Sequence, residues 1–321
     1  MSAPSDKPHD PITLSLHTTV RLPSARQVPI LANPRAGTGK SRRLVEALAG
    51  ALRRRGLTPT VCWQREELSE LLHTLDPNAV RCVVAAGGDG TLLEVVNRAP
   101  HLPAALLPLG NENLVAQYCR LERCASRLAD VIAAGHTQRF DLARAGDRFF
   151  CLMASAGLDA DVVHRVHRRR RGHISRLTYV VPTLQALQSY PYPLMEATVE
   201  ETGERLRGAL VFVFNVPLYG LRLPIAPEAR PDDGWLDLCV FERPGVVNLA
   251  RYLAALISRQ RDCLPDFHYR RVRCVRIESV PPAPVQTDGD PAGRLPVTIE
   301  VVPGALTLMV PPPPLAQGGT A

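Results

Sequence analysis

Several features are missing from this 321-residue chain, and each absence removes a class of protein. No run approaches the ~18 consecutive apolar residues of a membrane span. The polar start MSAPSDKPHDP has no apolar stretch of the kind a secretory signal needs. The eight cysteines, at 62, 82, 119, 124, 151, 239, 263 and 274, form no Cys-x-x-Cys pair. Several sit in apolar runs, which favours buried free thiols in a reducing cytosol over disulfides or a zinc site. Acidic residues are absent between Asp161 and Glu196, where Arg165, Arg168, Arg169, Arg170, Arg171 and Arg176 accompany His164, His167 and His173. Much of the net charge of +7 is therefore gathered in one block, suited to an anionic partner or a solvated face. A P-loop is also incomplete: Gly39-Lys40-Ser41 is present, but Pro34 stands where the first glycine belongs and no Walker-B acid accompanies it.

What is present begins with Gly87-Gly88-Asp89-Gly90-Thr91, between the apolar run Cys82-Val83-Val84-Ala85-Ala86 and a helical pattern from Leu92. A buried strand emptying into glycines and a helix start leaves backbone N–H groups unpaired, a cradle for phosphate. Thr91 and Glu94 have capping-box spacing and mark the helix start. Asp89 would repel phosphate unless a metal or a donor network intervenes, which marks it as functional.

Strand and helix patterns alternate through the first half. Strands are expected at 28–32, 58–63, 80–86 and 104–109, with helices from Leu44, at 66–75, from Leu92 and at 124–134. Such βα units predict a parallel sheet covered on both faces, with ligands beyond the carboxyl ends of its strands. After about residue 138 hairpin signals prevail, with strands at 140–144, 148–153, 196–200, 206–214, 235–241, 272–278, 297–301 and 305–310. Helices there are expected at 158–170, 177–189 and 246–258. The expected organisation is a flexible extension (1–25), a Rossmann-like α/β nucleotide-binding domain (26–138), a mainly antiparallel β-sandwich domain for the substrate (139–310) and a disordered tail (311–321).

Further motifs follow in order: Ala32-Asn33-Pro34-Arg35-Ala36-Gly37, then Pro108-Leu109-Gly110-Asn111-Glu112-Asn113 and Ala154-Ser155-Ala156-Gly157-Leu158-Asp159-Ala160. Next come Ala226-Pro227-Glu228-Ala229, Asp232-Asp233-Gly234-Trp235-Leu236-Asp237, Gln286-Thr287-Asp288-Gly289-Asp290 and Pro303-Gly304-Ala305-Leu306. With this ordered set the chain, over residues 28–311, resembles the diacylglycerol kinase catalytic-domain family of lipid kinases, relatives of sphingosine and ceramide kinases in a superfamily shared with NAD kinases. The resemblance implies ATP- and Mg²⁺-dependent phosphorylation of a lipid hydroxyl, with the nucleotide between the domains. It places nucleotide at Asn33, Pro34, Gly37, Gly87, Gly88, Asp89, Gly90, Thr91 and Asn111. Asp290 falls where the family carries a glutamate as proton acceptor, one methylene longer by about 1.5 Å. Asp288 is the neighbouring catalytic candidate, or alternatively a brace for the Gly289 turn. A second, structural Mg²⁺ is implied at the Asp233 carboxylate with the carbonyls of Arg230 and Trp235. The alternative there is a β-turn.

Two departures stand out: Asn111 replaces a common threonine, and Leu114 an aspartate. Asn111 keeps a polar group able to touch nucleotide, whereas Leu114 together with Asp290 keeps open a non-catalytic lipid- or nucleotide-binding relative. NAD kinase shares the glycine-rich turn but not the Asp232–Trp235 loop or the late Asp-Gly-Asp. Arg168, Arg169, Arg170 and Arg171, beside an apolar face of Val162, Val163 and Val166, predict docking to an anionic membrane surface. The expected partner is a lipid at that surface, without nucleic acid and with a second copy as a candidate dimer partner; the expected location is cytoplasmic and peripheral to the membrane. Asp141 and Asp159 are expected to order the region between the domains.

Overall fold

Strands that are apolar on both faces can be stable only when covered on both sides. Four of them, β1 (Gln27–Ala32), β2 (Thr58–Cys62), β3 (Val83–Gly87) and β4 (Ala104–Pro108), pair in parallel in the order β2-β1-β3-β4. They belong to a computed structural model that describes residues 25–33, 40–110, 112–169, 176–217 and 223–312. Alternate side chains separate to the two faces. Ile30, Val84 and Leu107 pack with Val45, Leu48 and Leu52 of α1 (Lys40–Arg54) and with Leu128 and Ile132 further along the chain. Leu31, Val83 and Leu106 face the opposite way, toward Leu68 of α2 (Arg65–Thr74) and Leu92 and Val96 of α3 (Asp89–Arg98). Two helices follow β4: the short α4 (Leu114–Tyr118), and α5 (Ala125–Ala134), which carries Leu128 and Ile132.

The second half forms a sandwich. The hairpin β5 (Thr137–Ala145) and β6 (Arg148–Phe150) leads into β7 (Met153–Gly157), α6 (Leu158–Arg168) and α7 (Val180–Ser189). Then come β8 (Met195–Val199), β9 (Arg205–Gly208), β10 (Leu210–Phe214), β11 (Leu236–Phe241) and α8 (Val246–Ile257). The chain closes with β12 (Phe267–Val272), β13 (Cys274–Ser279), β14 (Pro284–Thr287), β15 (Asp290–Arg294) and β16 (Val297–Met309). One sheet runs β12-β11-β10-β7-β14-β15, antiparallel throughout. The other continues from β4 through β16-β13-β8-β9, with β5 and β6 alongside. Ala197, Val275 and Ile299 from this sheet meet Val213, Leu238 and Val285 from the antiparallel one, and all six are buried. Each such aliphatic side chain larger than alanine contributes ~1.5–3 kcal/mol. The expected α/β fold with a parallel sheet and an antiparallel sandwich is what forms.

Several elements differ from the sequence reading, for one recurrent reason. Residues 148–153, 206–214 and 272–278 each split in two, because the chain passes between sheets at 151–152, Ala209 and Arg273. A switch of one or two residues leaves apolar alternation almost intact, so periodicity does not see it. Conversely, the strands expected at 297–301 and 305–310 are one strand, β16, whose register against β5 shifts between Val302 and Leu306. Asp141, on β5, receives the Gly304 N–H at 2.7 Å within that shift, and the Gly234 N–H at 2.7 Å. This buried carboxylate therefore fastens two distant loops of the second half to β5. The helix expected at 158–170 is described as α6 to Arg168, and α3 begins at Asp89, not Leu92. The N-cap of α3 is Gly88, so Thr91 and Glu94 make no capping box; Glu94 instead pairs with Arg98. A capping box does form on α2, between Gln64 and Glu67. All eight cysteines are free and five are buried, with burial pushing the Cys82 thiol up to about 12. Among the described residues no helix is long and apolar enough to cross a membrane. The N-terminal extension up to residue 24 and the tail from 313 lie outside the described residues.

Candidate active site

The glycine-rich turn at 87–91 sits where β3 ends and α3 begins, and close packing explains most of its glycines. A Cβ on Gly87 would lie 2.1 Å from the Thr91 hydroxyl. Gly88 and Gly110 lie backbone to backbone, so that a Cβ on Gly110 would come within 2.6 Å of the Gly88 Cα. Gly90 is different: a Cβ there meets nothing within 4 Å. Packing therefore does not require glycine at that position. The donor network anticipated for Asp89 is the start of α4. Its Oδ2 accepts the Leu114 N–H at 2.8 Å and its Oδ1 the Val115 N–H at 3.1 Å. Desolvation raises the Asp89 pKa, while those two N–H groups pull it down and Glu112 adds to the rise. Asn113, not singled out from the sequence, clamps the same loop. Its Oδ1 accepts the Gly110 N–H at 3.0 Å and its Nδ2 donates to the Gly110 carbonyl at 2.8 Å. Its place in the Pro108–Asn113 motif and the Gly-x-x-Asn spacing were the available hints.

Asp288 and Gly289 form the two-residue tip of the β14–β15 hairpin, with φ of 50° and 82° and Thr287 opposite Asp290. Asp-Gly is a preferred pair where both residues need positive φ. The Asp288 side chain does not brace this turn. Its oxygens accept the N–H groups of Cys151 at 2.7 Å, Leu152 at 2.8 Å and Met153 at 3.0 Å. The turn is held instead by Gln286, whose Oε1 accepts the Gly289 N–H at 2.8 Å. The Gln286 Nε2 donates to Ser155 at 2.8 Å and to Asp159 at 3.1 Å. Gln286 and Asp159 thus tie the hairpin to β7 and α6. Desolvation pushes the Asp288 carboxyl up to about 6; the three N–H groups resist and the Asp89 charge adds to the rise. The influence of the Asp89 charge means that two turns about 200 residues apart in sequence lie within electrostatic range of each other. Asp290 opens β15 with its carboxylate 39% exposed, 3.3 Å from the His167 Nε2.

Other expected residues are placed unevenly. The Asn33 N–H donates to the Ala86 carbonyl at 3.1 Å, which puts Asn33 at the end of β1 beside β3. Pro34, Gly37 and Asn111 lie outside the described residues. The loop expected to hold a structural Mg²⁺ does not suit one. The Asp233 carboxylate accepts the Trp235 N–H at 3.1 Å and pairs with the Arg271 guanidinium at 2.5 Å, and Arg230 also lies near it. Its negative charge is already met by an arginine, which would repel a divalent ion. The loop instead lines a cavity of about 480 Å³ with Tyr118, Glu228, Arg230, Tyr269 and Arg271. Burial raises the pKa of Asp237, next along the chain, to about 6, against the Tyr269 hydroxyl that donates to it.

The arginine block is corrected in one respect. Arg168 and Arg169 are exposed at the end of α6, and Arg170 and Arg171 lie outside the described residues. Val162, Val163 and Val166 do not form an outward apolar face; all three are buried against the core. The outward apolar side chains nearby in sequence are Val180, Val181 and Leu184 of α7, each at least half exposed. Trp63 packs at the edge of the parallel-sheet core under the Arg42 guanidinium.

Comparison with known proteins agrees with this architecture. The diacylglycerol kinase catalytic domain model matches residues 27–145, and the YegS C-terminal NAD kinase beta sandwich-like domain model matches residues 153–310. A diacylglycerol kinase of Staphylococcus saprophyticus is 25% identical over 285 residues, covering 84% of this chain and 91% of that protein. The Staphylococcus carnosus diacylglycerol kinase is 25% identical over 224 residues, covering 67% and 71%. A Bacillus anthracis structure assigned to the diacylglycerol kinases superposes with a TM-score of 0.72 at 19% identity, covering 92% of this chain and 99% of that one. Matching models on both halves show that the chain belongs to the diacylglycerol kinase catalytic-domain family of kinase-type enzymes, and the solved structure shares its two-sheet fold.

Proposed function

We propose that this protein transfers the γ-phosphoryl group of ATP, with Mg²⁺, to the hydroxyl of a membrane lipid alcohol such as a diacylglycerol or a sphingoid base. The observation that carries the reading is the meeting of the two turns, with the Asp288 hairpin held within electrostatic reach of Asp89. The open side of Gly90 and the first turn of α3 offer backbone N–H groups to the phosphates. Each Asp89 oxygen accepts one N–H bond and keeps a lone pair, a donor suited to the hard cation that accompanies a nucleotide. That cation, when bound, neutralises phosphate charge. Asp290 accepts the lipid hydroxyl proton as the oxygen–phosphorus bond forms, and the bond from phosphorus to the departing ADP breaks. Burial of Asp288 against three N–H groups keeps the hairpin tip fixed while this occurs.

The test is phosphoryl transfer from [γ-³²P]ATP to extracted lipids, with products identified by mass spectrometry. Wild-type protein should label a lipid, and Asp290→Ala should lower the rate roughly 10²–10⁴-fold, the range for a lost general base. Label on added NAD with none on lipid would overturn the proposal. Exposed Arg168 and Arg169 with the outward face of α7 form the surface proposed to dock on anionic bilayers. Sedimentation with phosphatidylglycerol vesicles should weaken steeply as salt rises. Binding unchanged in a variant with Arg168→Ala and Arg169→Ala would remove those two arginines from the docking surface.

A further inference from the structure

Asp290 has a shorter arm than a glutamate, and it stands more than a third exposed at the first position of β15. A carboxylate so placed can turn freely unless something fixes it. His167 stands beside it: its Nε2 lies 3.3 Å from Asp290 Oδ1, an ion-pair distance, and the ring is only 20% exposed. Its position on α6 is well determined. His164, three residues earlier on the same face, has its Nε2 2.8 Å from the Val285 carbonyl of β14. Near the other end of α6, Asp159 receives the Gln286 Nε2 at 3.1 Å, while Val162 and Val166 are buried beneath. Helix α6 is thereby fastened to β14 through the turns that precede His167, and this packing presents the imidazole to Asp290. Arg165, another cation on the helix, is taken by Asp161 and Ser189.

We infer that His167 is a positioning residue for phosphoryl transfer, holding the Asp290 carboxylate in the orientation that receives the lipid hydroxyl proton and offsetting the missing methylene. The inference rests on the kinase reading above. It requires the Nε2–H tautomer of His167, with the imidazole donating and the carboxylate accepting. The proton balance is unchanged: the proton leaves the lipid oxygen for Asp290, and His167 gains and loses none.

The test is a double-mutant cycle in the same lipid-extract assay. His167→Ala should lower kcat roughly tenfold, as expected for a loosened catalytic group, and leave KM for ATP within about twofold. His167→Gln, which keeps a side-chain N–H donor, should recover most of the loss. In the Asp290→Glu background the longer arm should make His167→Ala nearly silent, less than about a twofold effect. A merely structural role for His167 would lower both backgrounds alike, and would leave the glutamine variant no better than alanine; either result overturns the inference. If His167→Ala is unaffected while Asp290→Ala is dead, this inference fails and the kinase reading stands. If wild-type protein labels no lipid, both fail.

Discussion

The two turns that meet at the site are built on opposite principles. The 87–91 turn is largely local: its glycines, the Thr91 hydroxyl beneath Gly87 and the following helix are all within a few residues, and its remoter contacts, Gly110 against Gly88 and the Leu114 and Val115 N–H groups on Asp89, come from no more than 26 residues away. The 288–290 turn has a local backbone, but its acids are defined by residues far away. Asp288 is held by 151–153, Gln286 by Ser155 and Asp159, and Asp290 stands against His167. A turn of the first kind can be read from a string of letters. A turn of the second kind can be located that way, but its chemistry cannot be assigned.

This contrast can be broken experimentally. The largest expected effect is at Asp288, because Asp288→Ala leaves three backbone N–H groups of the β6–β7 connection without their acceptor. A loss of roughly 3 kcal/mol in urea unfolding is expected, given ~1–3 kcal/mol per stranded donor. A loss below ~1 kcal/mol would mean that water replaces the carboxylate and that the hairpin is not held from afar. Next is the pair Gly110→Ala and Gly90→Ala. The first forces two backbones apart and should cost about 2 kcal/mol. The second should change the melting temperature little and weaken ATP binding instead, measured by calorimetry. Equal destabilisation by both would refute the distinction between a packing glycine and a ligand glycine.

The last expected effect is on pH dependence. The Asp288 pKa is raised from 3.8 to about 6 in the folded chain, so the folded state holds this proton more tightly than the unfolded state. Its contribution to stability is fully present below about pH 4 and is lost as pH rises through about 6. The slope is at most about 1.4 kcal/mol per pH unit, the limit for one proton. Denaturant melts from pH 4 to 7 should show this fall, and Asp288→Asn should flatten it. An unchanged slope in that variant would assign the proton to another group, with Asp237 the leading alternative.

Much of the fold was legible. The βα alternation, the apolar strands and both functional turns are in the sequence, since short-range periodicity and turn chemistry act within a few residues. The strand breaks at 151–152, Ala209 and Arg273 were not, because a switch between sheets preserves alternation. The valines of α6 were assigned to the wrong surroundings for a similar reason: periodicity shows that Val162, Val163 and Val166 share a face, but not what that face meets. The metal loop failed differently. Asp233 has the right residue type in the right turn, but Arg271 of a distant strand occupies it.

By itself the sequence determined the family-type order of motifs, the parallel sheet with a glycine-rich turn at its carboxyl edge, and the presence of an acid pair after β14. Only the tertiary structure decided what those acids do. It placed Asp288 on three backbone donors, set Asp290 beside an imidazole from another helix, and paired Asp233 with an arginine. The physical reason is that a side chain's protonation, orientation and free lone pairs depend on the few ångströms around it, and in this fold those neighbours come from positions between 38 and 137 residues away in sequence.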